Sequence, residues 1–141
     1  MGEMIPCLSL WEPWASLWMR GPKVHETRHW PAPEKLVGRR IVVHAAKKRI
    51  KPEDLEPDLR ELLSSVPGMP LQYGMALGTG VLARCARTED TEPASDADRV
   101  AGNWASGRYA WRMEDRITFP EPIPLRGRQG IFYVPTEDLG L

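Results

Sequence analysis

The stretch His25-Glu26-Thr27-Arg28-His29 spells H-E-x-x-H, and its conformation decides what kind of chain this is. On a helix, residues i and i+4 share one face with Cβ atoms about 5–6 Å apart, and two histidines so placed can grip a zinc ion. On a strand the same positions lie about 13 Å apart, four rises of roughly 3.3 Å. No single zinc with ligands at about 2.0–2.1 Å bridges that gap. The flanks choose the strand. Pro22 stands three residues before the run and Pro31 two after it, while Val24 and Thr27 favour extended backbone. Residues 23–30 are therefore expected to form a short strand, with no metal site. Alternation then puts Val24, Glu26, Arg28 and Trp30 on one face and His25, Thr27 and His29 on the other. On an inward face, Glu26 and Arg28 must meet each other or a polar ligand, because burying them unpaired is costly; on an outward face they sit in water.

Outward from this stretch, strands and short helices follow one another. Residues 4–11 are apolar and read as a buried strand. Glu12-Pro13 opens a helix with a Trp14, Leu17, Trp18 stripe, and Gly21-Pro22 stops it. Residues 39–46, rich in β-branched side chains, suggest a strand covered on both faces. A helix is expected over 52–65, with Pro57 splitting it or shifting its start. Residues 75–88 read as a long strand, bent or bulged at Gly78 and Gly80. A short helix is expected within 95–103, and strands over 109–119 and 130–134, joined by a proline-rich connection. No repeat or linker divides residues 1–141, so one domain is expected. Its class is α+β: a small, mixed, partly closed β-barrel with flanking helices.

Charge narrows the partners. Lys+Arg and Asp+Glu both number 19, so there is no global attraction to nucleic acid. From Lys35 to Lys51, however, seven basic residues occur with no acid, and acids gather at 53–61 and 89–98. That arrangement builds a local positive face or simply a solvated surface. Cys7 and Cys85 are too few for a disulfide scaffold and sit in apolar runs, so free thiols in a reducing cytoplasm are expected. The N-terminal apolar stretch carries Glu3 and is broken by Glu12-Pro13; neither a signal peptide nor a membrane span is expected.

Several runs occur in a recognisable order. They are Leu8-Ser-Leu-Trp-Glu-Pro-Trp-Ala15, Gly21-Pro-Lys-Val-His-Glu-Thr-Arg28 and Gly38-Arg-Arg-Ile-Val-Val-His-Ala-Ala-Lys47. With Gly107-Arg-Tyr-Ala-Trp111 and the Pro-Ile-Pro-x-x-Gly-x-Gln-Gly run at 122–130, they resemble the ASCH domain of the PUA-like superfamily, in particular its bacterial and phage members. The resemblance spans nearly the whole chain. It implies a β-barrel whose helices flank a cleft, and an association with RNA and modified nucleobases. One branch of the family removes acyl groups from N4 of cytidine, using a Lys-x-x-Thr segment with the threonine as nucleophile. Here Lys23 takes the lysine position, but Glu26 takes the threonine position. A hydroxyl nucleophile forms an acyl-enzyme, whereas a carboxylate acts as general base on water, so the threonine mechanism does not transfer. Thr27 is adjacent but faces the other side of a strand.

The candidate catalytic residues are thus Lys23 and Glu26. Candidate ligand contacts are Lys23, Glu26, Arg28, His44, Lys47, Trp11, Arg108, Tyr109 and Trp111. Lys23 reads as a substrate contact or a solvated loop lysine, and Glu26–Arg28 as site residues or a structural ion pair. His44 ends an apolar strand, where a satisfied buried histidine is commoner than a catalyst, while Lys47 suits a phosphate. Trp11 and Trp111 lie where an aromatic face can stack on a base, although core packing is the default for tryptophan. Arg108-Tyr109 sets a cation beside an aromatic. The leading expectation is a module that binds RNA or a modified nucleoside or nucleotide in a polar cleft, with no cofactor and no metal. The alternatives are an amidohydrolase using Lys23 and Glu26, or a protein-binding adaptor. Zero net charge favours a small ligand or short strand over a long RNA footprint.

Overall fold

The computed structural model describes residues 2–66 and 68–141. Its strands are β1 (Met4–Leu10), β2 (His25–Arg28), β3 (Arg40–Ala45), β4 (Met75–Arg87), β5 (Tyr109–Pro124) and β6 (Ile131–Pro135). They form one sheet in the order β2-β5-β4-β3-β1-β6. β1 and β3 run parallel; the other neighbours are antiparallel. The helices are α1 (Trp14–Arg20), α2 (Pro57–Ser64) and α3 (Asp96–Val100). Cys7 and Cys85 are free thiols, and among the described residues no helix is long and apolar enough to cross a membrane.

Both faces of β3 are covered because its side chains alternate between two cores. Ile41, Val43 and Ala45 join Leu8, Leu10, Trp18, Leu77, Leu82 and Met113 in the larger one. Val42 joins Ile5, Cys7, Ala76, Phe132 and Val134 in the smaller. A third, small cluster seats α2 on α1 and α3 through Leu17, Leu59 and Ala101.

The ladder does not close on itself, yet Ser9 and Leu10 at the end of β1, with Trp11 just beyond, line the same cavity as Glu26–Arg28 of β2 and His29, the residue after it. The sheet therefore curls until these two ends face each other across an unbonded seam, giving a partly closed barrel. Glycines permit the curl. Register breaks fall between Ala76 and Gly78, between Thr79 and Val81, and between Leu82 and Arg84 on β4, with another between Val43 and His44 on β3. At Gly78 the neighbouring strand comes so close that a Cβ would sit 2.9 Å from Thr118 Cα.

The helix expected over 52–65 is split at Pro57, as that proline foretold: a 3₁₀ turn covers Pro52–Asp54, and α2 starts afresh at Pro57, whose missing N–H costs nothing at a first helical position. Two boundaries differ from expectation. β2 is only four residues long. β5 continues to Pro124, through the connection expected to be a loop. Pro120 and Pro122 fall in the gap of the β4–β5 register between Thr118 and Ile123, where no ladder donor is required.

Gly78→Ala should cost about 1–3 kcal/mol of unfolding free energy, because its methyl would press on backbone rather than on a side chain able to move. Urea unfolding with an unshifted midpoint would refute this close approach.

Candidate functional site: a cleft at the open seam

The four-residue strand β2 is bonded on one side only, to β5. Its start is fixed by Asp98 in the first turn of α3. This fully buried carboxylate accepts the amides of Val24 (2.7 Å) and His25 (2.9 Å) on Oδ1. On Oδ2 it accepts the Ala94 amide (2.9 Å) and His25 Nδ1 (2.7 Å). An ionised carboxylate only accepts, so His25 carries its hydrogen on Nδ1. Ser95 caps α3, its hydroxyl accepting the Asp98 amide at 3.0 Å. Burial alone pushes the Asp98 pKa up, but the hydrogen bonds, led by that of His25, outweigh it and hold it at about 2. The turn before β2 is clamped from the other side, where Arg116 Nη1 donates to the carbonyls of Trp18 (2.8 Å), Gly21 (2.9 Å) and Lys23 (3.2 Å).

These anchors deliver a chain of charges to the seam. Lys23 is fully buried; its Nζ donates to the Ala101 carbonyl (2.7 Å) and lies 3.3 Å from Glu26 Oε1. Burial pushes the lysine pKa down, against Glu26 and Asp98, which hold it up. The other carboxylate oxygen, Glu26 Oε2, accepts Arg28 Nη1 at 3.1 Å. The Arg28 guanidinium lies 4.9 Å from the Trp30 ring and 5.8 Å from that of Trp111. Glu26 and Arg28 thus meet each other on a half-buried face.

Three adjoining chambers follow this chain. The inner one, about 330 Å³, is lined by Lys23, Glu26, Asn103 and Arg108. The middle one, about 260 Å³, is lined by Glu26, Thr27, Arg28, Arg108 and Trp11. Here Arg108 Nη2 donates to the Thr27 carbonyl at 3.0 Å, while the Nε atoms of Arg28 and Arg108 are buried without a partner among the described residues. The outer groove, about 980 Å³, carries Arg28, Lys47, Arg126 and Arg128 and no acidic residue. Ser9 and His44 also line it. His44 is 1% exposed; Nε2 lies 2.7 Å from the Leu125 carbonyl and Nδ1 2.9 Å from Ser9 Oγ. Burial pushes its pKa down, partly offset by the Leu125 bond.

The structure brings Lys23, Glu26, Arg28, Arg108, Trp11, His44 and Lys47 to this cleft, and Trp11 is 48% exposed with Lys48 Nζ 4.1 Å from its ring. Two candidates need correction. Trp111 is fully buried in the larger core, its indole N–H donating to the Trp30 carbonyl at 3.3 Å, so no base can stack on it. Tyr109 packs against that same core and lies 5.7 Å from Arg87, away from the chambers. The basic run 35–51 also disperses: Lys47 reaches the groove, Arg40 pairs with Asp115, and Arg49 lies 4.0 Å from the Tyr73 ring. Four contributors escaped the sequence reading. Arg126 and Arg128 sit in what read as a connector, though Arg-Gly-Arg was a visible signal. Ser9 was read as one polar residue in a buried strand. Asp98 was one of several acids, and its signal was Ser95-x-x-Asp98, a capping pattern.

With its pKa below the ordinary 3.8, Asp98 contributes of order 2 kcal/mol that is present above about pH 4 and lost as pH falls towards 2. Asp98→Asn should lower stability at pH 7 by about 3–5 kcal/mol, since it breaks a buried ionic hub. It should also flatten the acid limb of the stability curve. A mutant profile parallel to the wild type would refute the assignment.

Comparison with known proteins agrees with this architecture. The crystal structure of ASCH from Zymomonas mobilis superposes with a TM-score of 0.57 at 15% identity, covering 96% of this chain and 90% of that one. Two mutant forms of the same bacterial protein superpose with TM-scores of 0.54 and 0.52, again at 15% identity and 96% of this chain, over 93% and 91% of theirs. At that identity the likeness concerns the fold. Residues 8–122 match the family defined as the ASCH domain, and the chain belongs to that family.

Proposed function

We propose that the cleft binds a nucleotide, a modified nucleoside or a short single strand of RNA. The observation that carries this reading is the outer groove, where four cations and no acid surround a half-exposed tryptophan. Arginine and lysine donate charge-assisted hydrogen bonds to phosphate, and an exposed indole offers a stacking surface for any base. Inward from there, Glu26 accepts and Arg108 donates, the pair of roles that reads a base edge. Because the chain carries no net charge, the attraction is local, which suits a ligand of one or a few phosphates.

A second reading, deacylation of an N-acylated base, has one observation in its favour. Glu26 lines both inner chambers beside the buried Lys23 amine. Against it, both oxygens of Glu26 are engaged by cations.

Calorimetric titration with cytidine 5′-monophosphate and a short single-stranded RNA tests the binding reading. Trp11→Ala should cost about 1–3 kcal/mol through lost stacking. The double change Arg126→Ala, Arg128→Ala should lower the slope of log K against log salt for the RNA by about 1.4, two phosphate contacts at roughly 0.7 each. Absence of saturable binding to either ligand would overturn the proposal.

Glu26→Gln separates the two readings. In a binding module it weakens affinity by about 1–3 kcal/mol, the cost of an imperfectly paired buried group. In a hydrolase it lowers turnover of N4-acetylcytidine by about 10²–10⁴-fold while leaving binding largely intact.

A further inference from the structure

We propose that Ser9 is a nucleophile with His44 as its general base, and that the outer groove hydrolyses carboxylic esters of phosphate-bearing nucleosides. The choice of alcohol in that ester rests on the nucleotide reading above; the nucleophile itself does not.

Parallel strands β1 and β3 place Ser9 and His44 opposite each other in register. A carbonyl oxygen only accepts, so the contact between His44 Nε2 and the Leu125 carbonyl puts the ring hydrogen on Nε2. Nδ1 then presents a lone pair to the Ser9 hydroxyl, 2.9 Å away. This is a hydroxyl, a base and a group that orients the base, the relation that activates a serine, with a backbone carbonyl where a carboxylate more often stands. Here the histidine is buried while the serine is half-buried and opens on both the outer groove and the middle chamber.

The loop above the pair is built around the ring. A Cβ at Gly127 would lie 2.7 Å from His44 Nδ1, so only glycine lets this backbone pass so close to the imidazole. Among the described residues, the amides of Arg126, Gly127, Arg128 and Gln129 make no hydrogen bond, and this loop lines the groove that Ser9 opens on. Free amides and guanidinium groups are the donors that a developing oxyanion requires.

The chemistry balances without a further reagent. Ser9 Oγ attacks the ester carbonyl as its proton passes to His44 Nδ1, leaving the imidazolium bonded to the Leu125 carbonyl. The tetrahedral adduct expels the nucleoside oxygen, which takes that proton, and an acyl-Ser9 remains. Water then attacks the acyl carbon, gives a proton to His44, and Ser9 leaves with it; the products are a carboxylic acid and a nucleotide.

Two measurements test this. Diisopropyl fluorophosphate should add to Ser9, located by peptide mass mapping, and the adduct should be absent from Ser9→Ala. The protein should hydrolyse 3′-O-acetyl adenosine 5′-monophosphate, with turnover abolished in Ser9→Ala and lowered at least about 10²-fold in His44→Gln. Because His44 is buried, the smaller Ser9→Ala change decides the matter if His44→Gln does not fold. Adenosine 5′-monophosphate that binds while Ser9 takes no adduct and no ester is cleaved would overturn the nucleophile and leave the binding reading intact. Hydrolysis that survives Ser9→Ala would overturn it equally. A Ser9 adduct and cleavage of p-nitrophenyl acetate, without affinity for adenosine 5′-monophosphate, would keep the nucleophile and overturn the nucleotide as its substrate.

Discussion

One buried carboxylate holds the cleft in place. β2 is a four-residue edge strand, and such a strand contributes little ordering of its own. Asp98 supplies the order by accepting two consecutive amides at the start of β2, a side chain from it, and an amide of its own loop. Four donors on one carboxylate offset the cost of removing its charge from water, and its low pKa is the signature of that balance. The position of Lys23, and through it the orientation of Glu26, follows from where Asp98 ends the turn.

The charges beyond Asp98 are arranged as a relay rather than as isolated pairs. Lys23 is held between a carbonyl and Glu26; Glu26 is held between Lys23 and Arg28; Arg28 rests by two tryptophans. Buried ion pairs of this kind are weak contributors to stability, and apolar side chains of similar volume often serve a fold better. Trp111 is part of this economy. Its ring belongs to the larger core and lies 5.8 Å from the guanidinium, so a tryptophan that looks available in the sequence is absent from the cleft wall.

What the sequence reveals and what it withholds divide along physical lines. Local sterics are legible: Pro22 and Pro31 dictate an extended segment, the β-branched run at 39–46 dictates a two-sided strand, and Gly78 marks the bend. That Glu26 and Arg28 share one face follows from period-two alternation, though not that they pair. Contacts across large sequence separations are not legible. Nothing local links Asp98 to His25, Arg116 to Lys23, or Leu125 to His44, since each depends on how the sheet curls. Exposure of tryptophan fails for the same reason: alternation says that Trp111 and Ala110 face opposite ways, but not that both faces of β5 are covered there.

The prolines that rule out a helix over His25–His29 also create the opening. With four bonded residues between them, β2 is a short edge strand paired only with β5, and the barrel stays unbonded where it faces the end of β1. An open seam costs ladder hydrogen bonds and exposes an edge, which proteins usually protect with charge and short length. Here the protection and the site are the same residues. Glu26 and Arg28 are the charges that blunt the edge, and they are also the groups that turn the gap into a polar cleft. Closing the barrel would pair the backbone of β2 at the expense of the space between Ser9 and Arg28. The incompleteness of the sheet is therefore what gives this small fold an interior able to receive a ligand.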